Sequence, residues 1–182
     1  AKLHEGETSI SIGFEGYNLE VTGIELGSNT GVQLHNIPMR GSAGMLFTKL
    51  DAGHFQKSMN GRKIGLLIFQ FGGNVVPYIK DKASAERYAH RFSKQLEYLK
   101  SIVPDAAIIV IGPSDMGAIG YYPMLAEVVE SLEVAALETD CLFWDLRRAM
   151  GGEGSMMVWS EEEPKLASPD LVHFTPKGAR IV

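Results

Sequence analysis

The sequence predicts an α/β protein: an open parallel sheet with helices on both faces. Three observations predict it. Two runs, 64–71 (IGLLIFQF) and 106–111 (AAIIVI), are almost continuously apolar, as suits parallel strands covered on both sides. A long amphipathic stretch separates them, and a second one follows. Strand, helix, strand, helix, strand in alternation builds a parallel sheet through crossover connections.

Residues 1–30 stand apart from that pattern. In TSISIGFEGYNLEVTGIEL, apolar residues alternate at Ile10, Ile12 and Phe14, then at Leu19 and Val21, around a Glu-Gly-Tyr-Asn turn. Period-two alternation about a turn predicts a half-buried antiparallel hairpin. From residue 31 onward the reading changes to short buried strands and helices. A strand is expected at 32–37 and a shorter helix over 45–59. Between the two apolar runs, Ala85, Tyr88, Ala89, Phe92, Leu96, Leu99 and Ile102 fall on one helical stripe. Asp81 is the expected N-cap of that helix, and Pro104 lies just past its end. A second helix is expected over 123–138, leading to a short strand at 142–144. No internal repeat, linker or low-complexity segment is present.

The chain's 182 residues suffice for one domain with a substantial core. Its 45% apolar and 21% charged fractions are ordinary for a globular protein. A formal charge of −5 gives no reason to expect nucleic acid or an anionic membrane as partner. No stretch approaches the ~20 apolar residues of a membrane-spanning helix. The opening AKLHEGETS does not read as a signal peptide, which leaves the compartment open. The lone Cys141 excludes an internal disulfide and any multi-cysteine zinc site, and its setting in CLFWDL favours a buried, inert thiol.

Functional residues of open α/β sheets cluster in loops after the carboxyl ends of the strands. Three such places carry glycines and polar groups: Arg40-Gly41-Ser42-Ala43-Gly44, Gly72-Gly73-Asn74 and Gly112-Pro113-Ser114-Asp115. A fourth feature is DLVHFTP, with Asp170 and His173 three apart before a helix start at Thr175-Pro176. That spacing allows the carboxylate to bond the imidazole and leave the ring free as a general base. Each piece also has a plain alternative. Gly72 and Gly73 are compatible with a simple tight turn in which Asn74 accepts a positive φ. Gly41 and Gly44 are compatible with ordinary turns. His4, His35, His54 and His90 show no ligand spacing, and Met156, Met157 and Trp159 read as packing residues. No glycine-rich phosphate loop with a following Lys is present.

Taken in order, these pieces resemble the SGNH (GDSL-type) hydrolases, and in particular bacterial esterases with an inserted β domain. The resemblance spans residues 20–182. The family's second block matches Gly44 in RGSAGMLF. Its third block, Gly-x-Asn, matches Gly72 and Asn74 in FQFGGN, with Val75 replacing the usual Asp. Its fifth block, Asp-x-x-His, matches Asp170 and His173 in DLVHFTPKGA. IIVIGPSDMG looks like the strand and loop before the penultimate helix. The resemblance implies a three-layer α/β/α sheet, flavodoxin-like and here incomplete. It also implies ester hydrolysis with His173 and Asp170 as catalytic pair and Gly44 and Asn74 as oxyanion donors. Carbohydrate-linked esters, such as O-acetyl groups, are the implied substrates, and Tyr121, Tyr122 and Trp159 are candidates for a sugar-facing rim, with packing as the alternative. No metal or organic cofactor is implied. Placement outside the cytoplasm, secreted or periplasmic, follows from the resemblance alone.

The family's first block, Gly-Asp-Ser, is absent from the sequence. Ser28, in IELGSN, lies too close to Gly44 for the helix and strand that should intervene, and Ser42 sits inside the second block. The expectation is therefore that the nucleophilic serine lies upstream of this chain. Residues 1–30 then read as the tail of a β-rich inserted domain, and 31–182 as the C-terminal part of the hydrolase domain. In the family's strand order, 2-1-3-4-5, the absent first strand would lie between 32–37 and 64–71. Its absence would leave strand edges unpaired, a slot for either an upstream segment or another chain. PKGARIV likewise reads as a helix that stops after about two turns. The alternative is a carbohydrate-binding or scaffolding module that keeps the fold without catalysis.

Overall fold

A computed structural model describes residues 6, 9–21, 24, 27, 30–59 and 63–182. The chain divides into two units, Ala1–Pro38 and Met39–Val182.

In the first unit the expected turn is present at Tyr17 and Asn18, with Asn18 in the left-handed region at φ 57°. The strands expected to flank it are not: no described residue of this unit is in a strand. Ile10, Ile12, Phe14, Leu19 and Val21 remain exposed, so their alternation buries no face, and a lone hairpin without such a face is marginal in water. The strand expected at 32–37 is also absent, with Val32 98% and Leu34 84% exposed. A strand exists only with a partner, and no described strand pairs with this segment.

The second unit is built as expected from parallel strands. Strands β1 (Leu66–Gln70), β2 (Ala107–Ile111) and β3 (Leu142–Trp144) form a three-stranded parallel sheet in the order β1-β2-β3. Phe69 lies beside Val110, and Val110 beside Phe143, so one face carries Leu67, Phe69, Ile108, Val110 and Phe143 into a common core. Helices α2 (Lys82–Ile102) and α3 (Leu125–Glu138) cover that face. The α2 stripe is buried along its whole predicted length, with Phe92 and Leu96 fully enclosed. Asp81 caps α2 as expected: its Oδ1 accepts the Ser84 N–H at 2.7 Å, while Ser84 Oγ accepts the Asp81 N–H at 3.1 Å. This reciprocal pair satisfies two donors that the first turn leaves free.

Two helices were not anticipated. Helices α4 (Leu146–Met150) and α5 (Ser155–Glu161) pack on the other face, where Leu146, Met150 and Met156 enclose Ile111. They cover only part of it; Leu66, Ile68 and Leu142 stay exposed, and β1 is an open edge. The helix expected over 45–59 is split into a 3-10 turn, Phe47–Lys49, and α1 (Ala52–Met59). Asp51 divides them, because its carboxylate takes the His54 N–H at 2.7 Å, the preference of an N-cap. After Pro176 only a 3-10 turn, Gly178–Arg180, forms. Thr175 does accept the Gly178 N–H, but its own N–H and hydroxyl are engaged by the Leu166 and Lys165 carbonyls. That tether holds the segment against residues 165–167 and leaves little chain to wind.

Candidate active site

The turn that carries Asp170 and His173 is closed by its own backbone. Ser168 donates to the His173 carbonyl at 2.8 Å, and Leu171 donates to the Ser168 carbonyl at 3.0 Å. Leu171 adopts φ 55°, a conformation that costs a non-glycine residue ~1–2 kcal/mol. The result folds Asp170 back on the turn. Its Oδ1 accepts the N–H groups of Val172 and His173, and its Oδ2 meets His173 Nδ1 at 2.8 Å. The His173 side-chain bond, then the two backbone N–H groups, hold the Asp170 carboxyl down to about 2. Both side chains are open to solvent, at 77% for His173 and 52% for Asp170. With Nδ1 on the carboxylate, Nε2 is the ring nitrogen left for a reacting group.

Gly44 and Asn74 meet at a second point. Asn74 Nδ2 donates to the Ser42 carbonyl at 3.3 Å, and the Gly44 N–H donates to Ser42 Oγ at 3.1 Å. Gly44 has φ +74°, and a Cβ there would lie 2.8 Å from Phe71 Cγ. The Ala43 carbonyl accepts the buried Tyr88 hydroxyl at 2.9 Å, and burial pushes the Tyr88 phenol above its ordinary range. Asn74 does not take the positive φ that a plain turn would ask of it. Gly72 does, at φ +109°, and a Cβ there would lie 2.7 Å from Leu132 Cδ1 and 2.9 Å from Pro113 Cγ. Asn74 is instead held in the 3-10 turn Gly73–Tyr78.

The loop after β2 links the two points. Met116 Cε packs at Gly73, where a Cβ would lie 3.3 Å from it, and the Gly117 N–H donates to the Leu171 carbonyl at 2.7 Å. No hydrogen bond joins His173 directly to Gly44 or Asn74 among the described residues. Of the two serines considered, Ser28 lies outside the described residues. Ser42 is described, and no bond connects its hydroxyl to His173. Among the described residues no cluster of three or more His, Cys, Asp or Glu is arranged to hold a metal.

Of the aromatic candidates, Tyr121 and Tyr122 stack edge-to-face at 4.9 Å and line an open cleft with Val76, Pro77, Ile79, Pro123 and Met124. Trp159 instead packs on Phe174, with ring centroids 5.6 Å apart. Sequence reasoning placed Asp115 among the polar groups after a strand but gave Arg147 no role; the two form an ion pair in which Asp115 is buried and Arg147 partly so. A polar residue directly after a parallel strand was the available signal for Asp115.

The fold and these side chains define an α/β protein with an Asn-bearing turn just after the parallel strand β1 and an Asp–His pair on a turn that follows α5. The architecture is consistent with an SGNH-like α/β/α fold. Among solved structures, a peptidoglycan O-acetylesterase is similar to this chain, with a TM-score of 0.62 and 27% identity, covering 77% of this chain and 40% of that one. The chain thus spans less than half the length of that protein. No protein-family model matches the chain, and no curated protein matches it.

Proposed function

We propose that this chain forms the acid–base and oxyanion part of a serine ester hydrolase of the SGNH type, acting on O-acetyl groups of a glycan. The observation that carries the reading is the Asp170–His173 contact at 2.8 Å on an exposed turn. The similarity to a peptidoglycan O-acetylesterase supports the choice of ester and of a carbohydrate carrier. In this reading the nucleophilic serine comes from a segment outside these residues, paired with the open edge of β1.

The mechanism follows from the groups in hand. His173 Nε2 takes the serine proton as the oxygen attacks the acetyl carbonyl, and Asp170 stabilises the resulting imidazolium. Negative charge develops on the carbonyl oxygen, and the Gly44 N–H and Asn74 amide are donors for it. In the structure these donors are engaged by Ser42. The substrate oxygen replaces the Ser42 hydroxyl as acceptor for Gly44, so donation is transferred rather than created. His173 then returns its proton to the sugar oxygen as its bond to the acetyl carbon breaks, so that the sugar leaves as the free hydroxyl, and water repeats the sequence on the acetyl-enzyme. The Tyr121–Tyr122 cleft is the proposed rest for the sugar ring, which presents an apolar face to aromatic side chains.

The test is acetyl-ester turnover by a polypeptide that joins this chain to the serine-bearing segment. His173→Ala is expected to lower kcat by ~10²–10⁴, the range of general-base catalysis. Asn74→Ala is expected to cost ~10²–10³, as for one lost oxyanion donor. Unchanged rates in both variants refute the assignment, and no turnover at all by the native polypeptide favours the non-catalytic binding module.

A further inference from the structure

A charged pair anchored in the loop after β2, which is hydrogen-bonded to the Asp170–His173 turn through Gly117, is not used by the proposed chemistry. Asp115, in the loop after β2, is only 3% exposed. Both of its oxygens are held: Oδ1 accepts from Arg147 Nε at 3.1 Å, and Oδ2 accepts the Met156 backbone N–H at 3.1 Å. Arg147 belongs to α4 and Met156 to α5, so one carboxylate ties the loop to both short helices. Glu153 approaches the same guanidinium from its outer side, at 3.9 Å. A buried charge satisfied in this way resists displacement, because freeing either partner leaves an uncompensated ion.

The far end of the same loop is also constrained. Gly117 has φ +72°, a Cβ there would lie 2.9 Å from Tyr122 Cδ2, and its N–H donates to the Leu171 carbonyl. Leu171 is the residue at φ 55°, and its side chain packs on the cluster that contains Met156. Left-handed conformations at non-glycine residues persist only where the surroundings over-determine them. Here the surroundings are the Gly117 bond and the α5 cluster, and both run back to Asp115.

We propose that Asp115 is a positioning residue for the Asp170–His173 pair. By locking the loop after β2 to α4 and α5, it holds the Gly117 N–H against Leu171 and keeps the left-handed turn that folds Asp170 onto His173. The inference rests on the esterase reading only for what the pair does; its geometry is tested without any ester.

The experiment is an NMR titration of the Asp170 carboxyl in this chain, expected at about 2 in the native protein. Asp115→Asn keeps the shape but loses the charge-assisted bond to Arg147, and the midpoint is expected to rise toward the ordinary ~3.9. Arg147→Lys keeps the charge without the planar fork and is expected to move the midpoint the same way. Adding Leu171→Gly to Asp115→Asn removes the cost of the left-handed turn and is expected to restore the low midpoint. That rescue separates positioning through Leu171 from a general loosening of the fold. An unchanged Asp170 midpoint in folded Asp115→Asn overturns the proposal, and so does failure of Leu171→Gly to rescue. If Asp115→Asn does not fold, Arg147→Lys takes its place in both comparisons, and the same two results overturn the proposal. Failure of the esterase reading would show separately, as turnover unaffected by His173→Ala.

Discussion

Replacing Gly44 by Ala tests whether the turn bearing the proposed oxyanion donor is sterically dictated. Two costs add. At φ +74° an alanine gives up ~1–2 kcal/mol to the left-handed conformation. Its Cβ would also lie 2.8 Å from Phe71 Cγ and 3.1 Å from Phe92 Cε2. Phe92 is fully buried and cannot withdraw, so an overpacking cost of ~1–3 kcal/mol follows. The sum, about 2–5 kcal/mol, corresponds to a fall of about 1–2.5 M in the urea midpoint at a slope of ~2 kcal/mol/M. Gly41→Ala is the control: its φ is +71°, but nothing lies within 4 Å of the added carbon. It carries the conformational cost alone, about 0.5–1 M at the same slope. Urea unfolding followed by circular dichroism measures both. Equal midpoints for the two variants would refute the packing argument, and a native midpoint for Gly44→Ala would refute both terms.

Three further outcomes are expected. In His173→Ala the Asp170 titration should rise from about 2 toward ~3.9 by NMR. The folded value lies below the unfolded one, so the contribution of the pair is complete above pH ~4 and is lost as pH falls through the folded value. Asp81→Ala removes the carboxylate that accepts the Ser84 N–H in the α2 cap and should cost about 1 kcal/mol in urea unfolding; no change would deny the cap a role in stability. Tyr121→Ala should lower kcat/KM on an acetylated glycan about tenfold, ~1.4 kcal/mol, while leaving turnover of a small aryl acetate unchanged. Equal effects on both esters would remove the cleft from the substrate path.

The parts legible in the sequence are those whose signal is local. The α2 stripe repeats at helical spacing from Ala85 to Ile102, and Asp81 announces its start within a few residues. The apolar runs announce β1 and β2 by their own composition, although burial on both faces does not follow for β1, whose Leu66 and Ile68 stay exposed. The Asp170–His173 contact was readable for the same reason, since three residues of spacing suffice to bring carboxylate to ring. What failed depends on contacts distant in sequence. Residues 32–37 have strand composition but pair with no described strand, and the 10–21 alternation buries no face among the described residues. Helices α4 and α5 are too short for periodicity to reveal, although Asp145 caps α4 by accepting the Arg148 N–H at 2.8 Å and Gly151 ends it at φ 117°. The Asp115–Arg147 pair joins residues far apart in sequence, and nothing local marks it.

The central claim is that Asp170 and His173 serve a serine that these residues do not contain. Organophosphonate labelling followed by peptide mass spectrometry tests it most directly, on the polypeptide that joins this chain to its serine-bearing segment. The account predicts a label on a serine outside residues 1–182, lost in His173→Ala. A label on Ser28 or Ser42, or one that persists without His173, would contradict it.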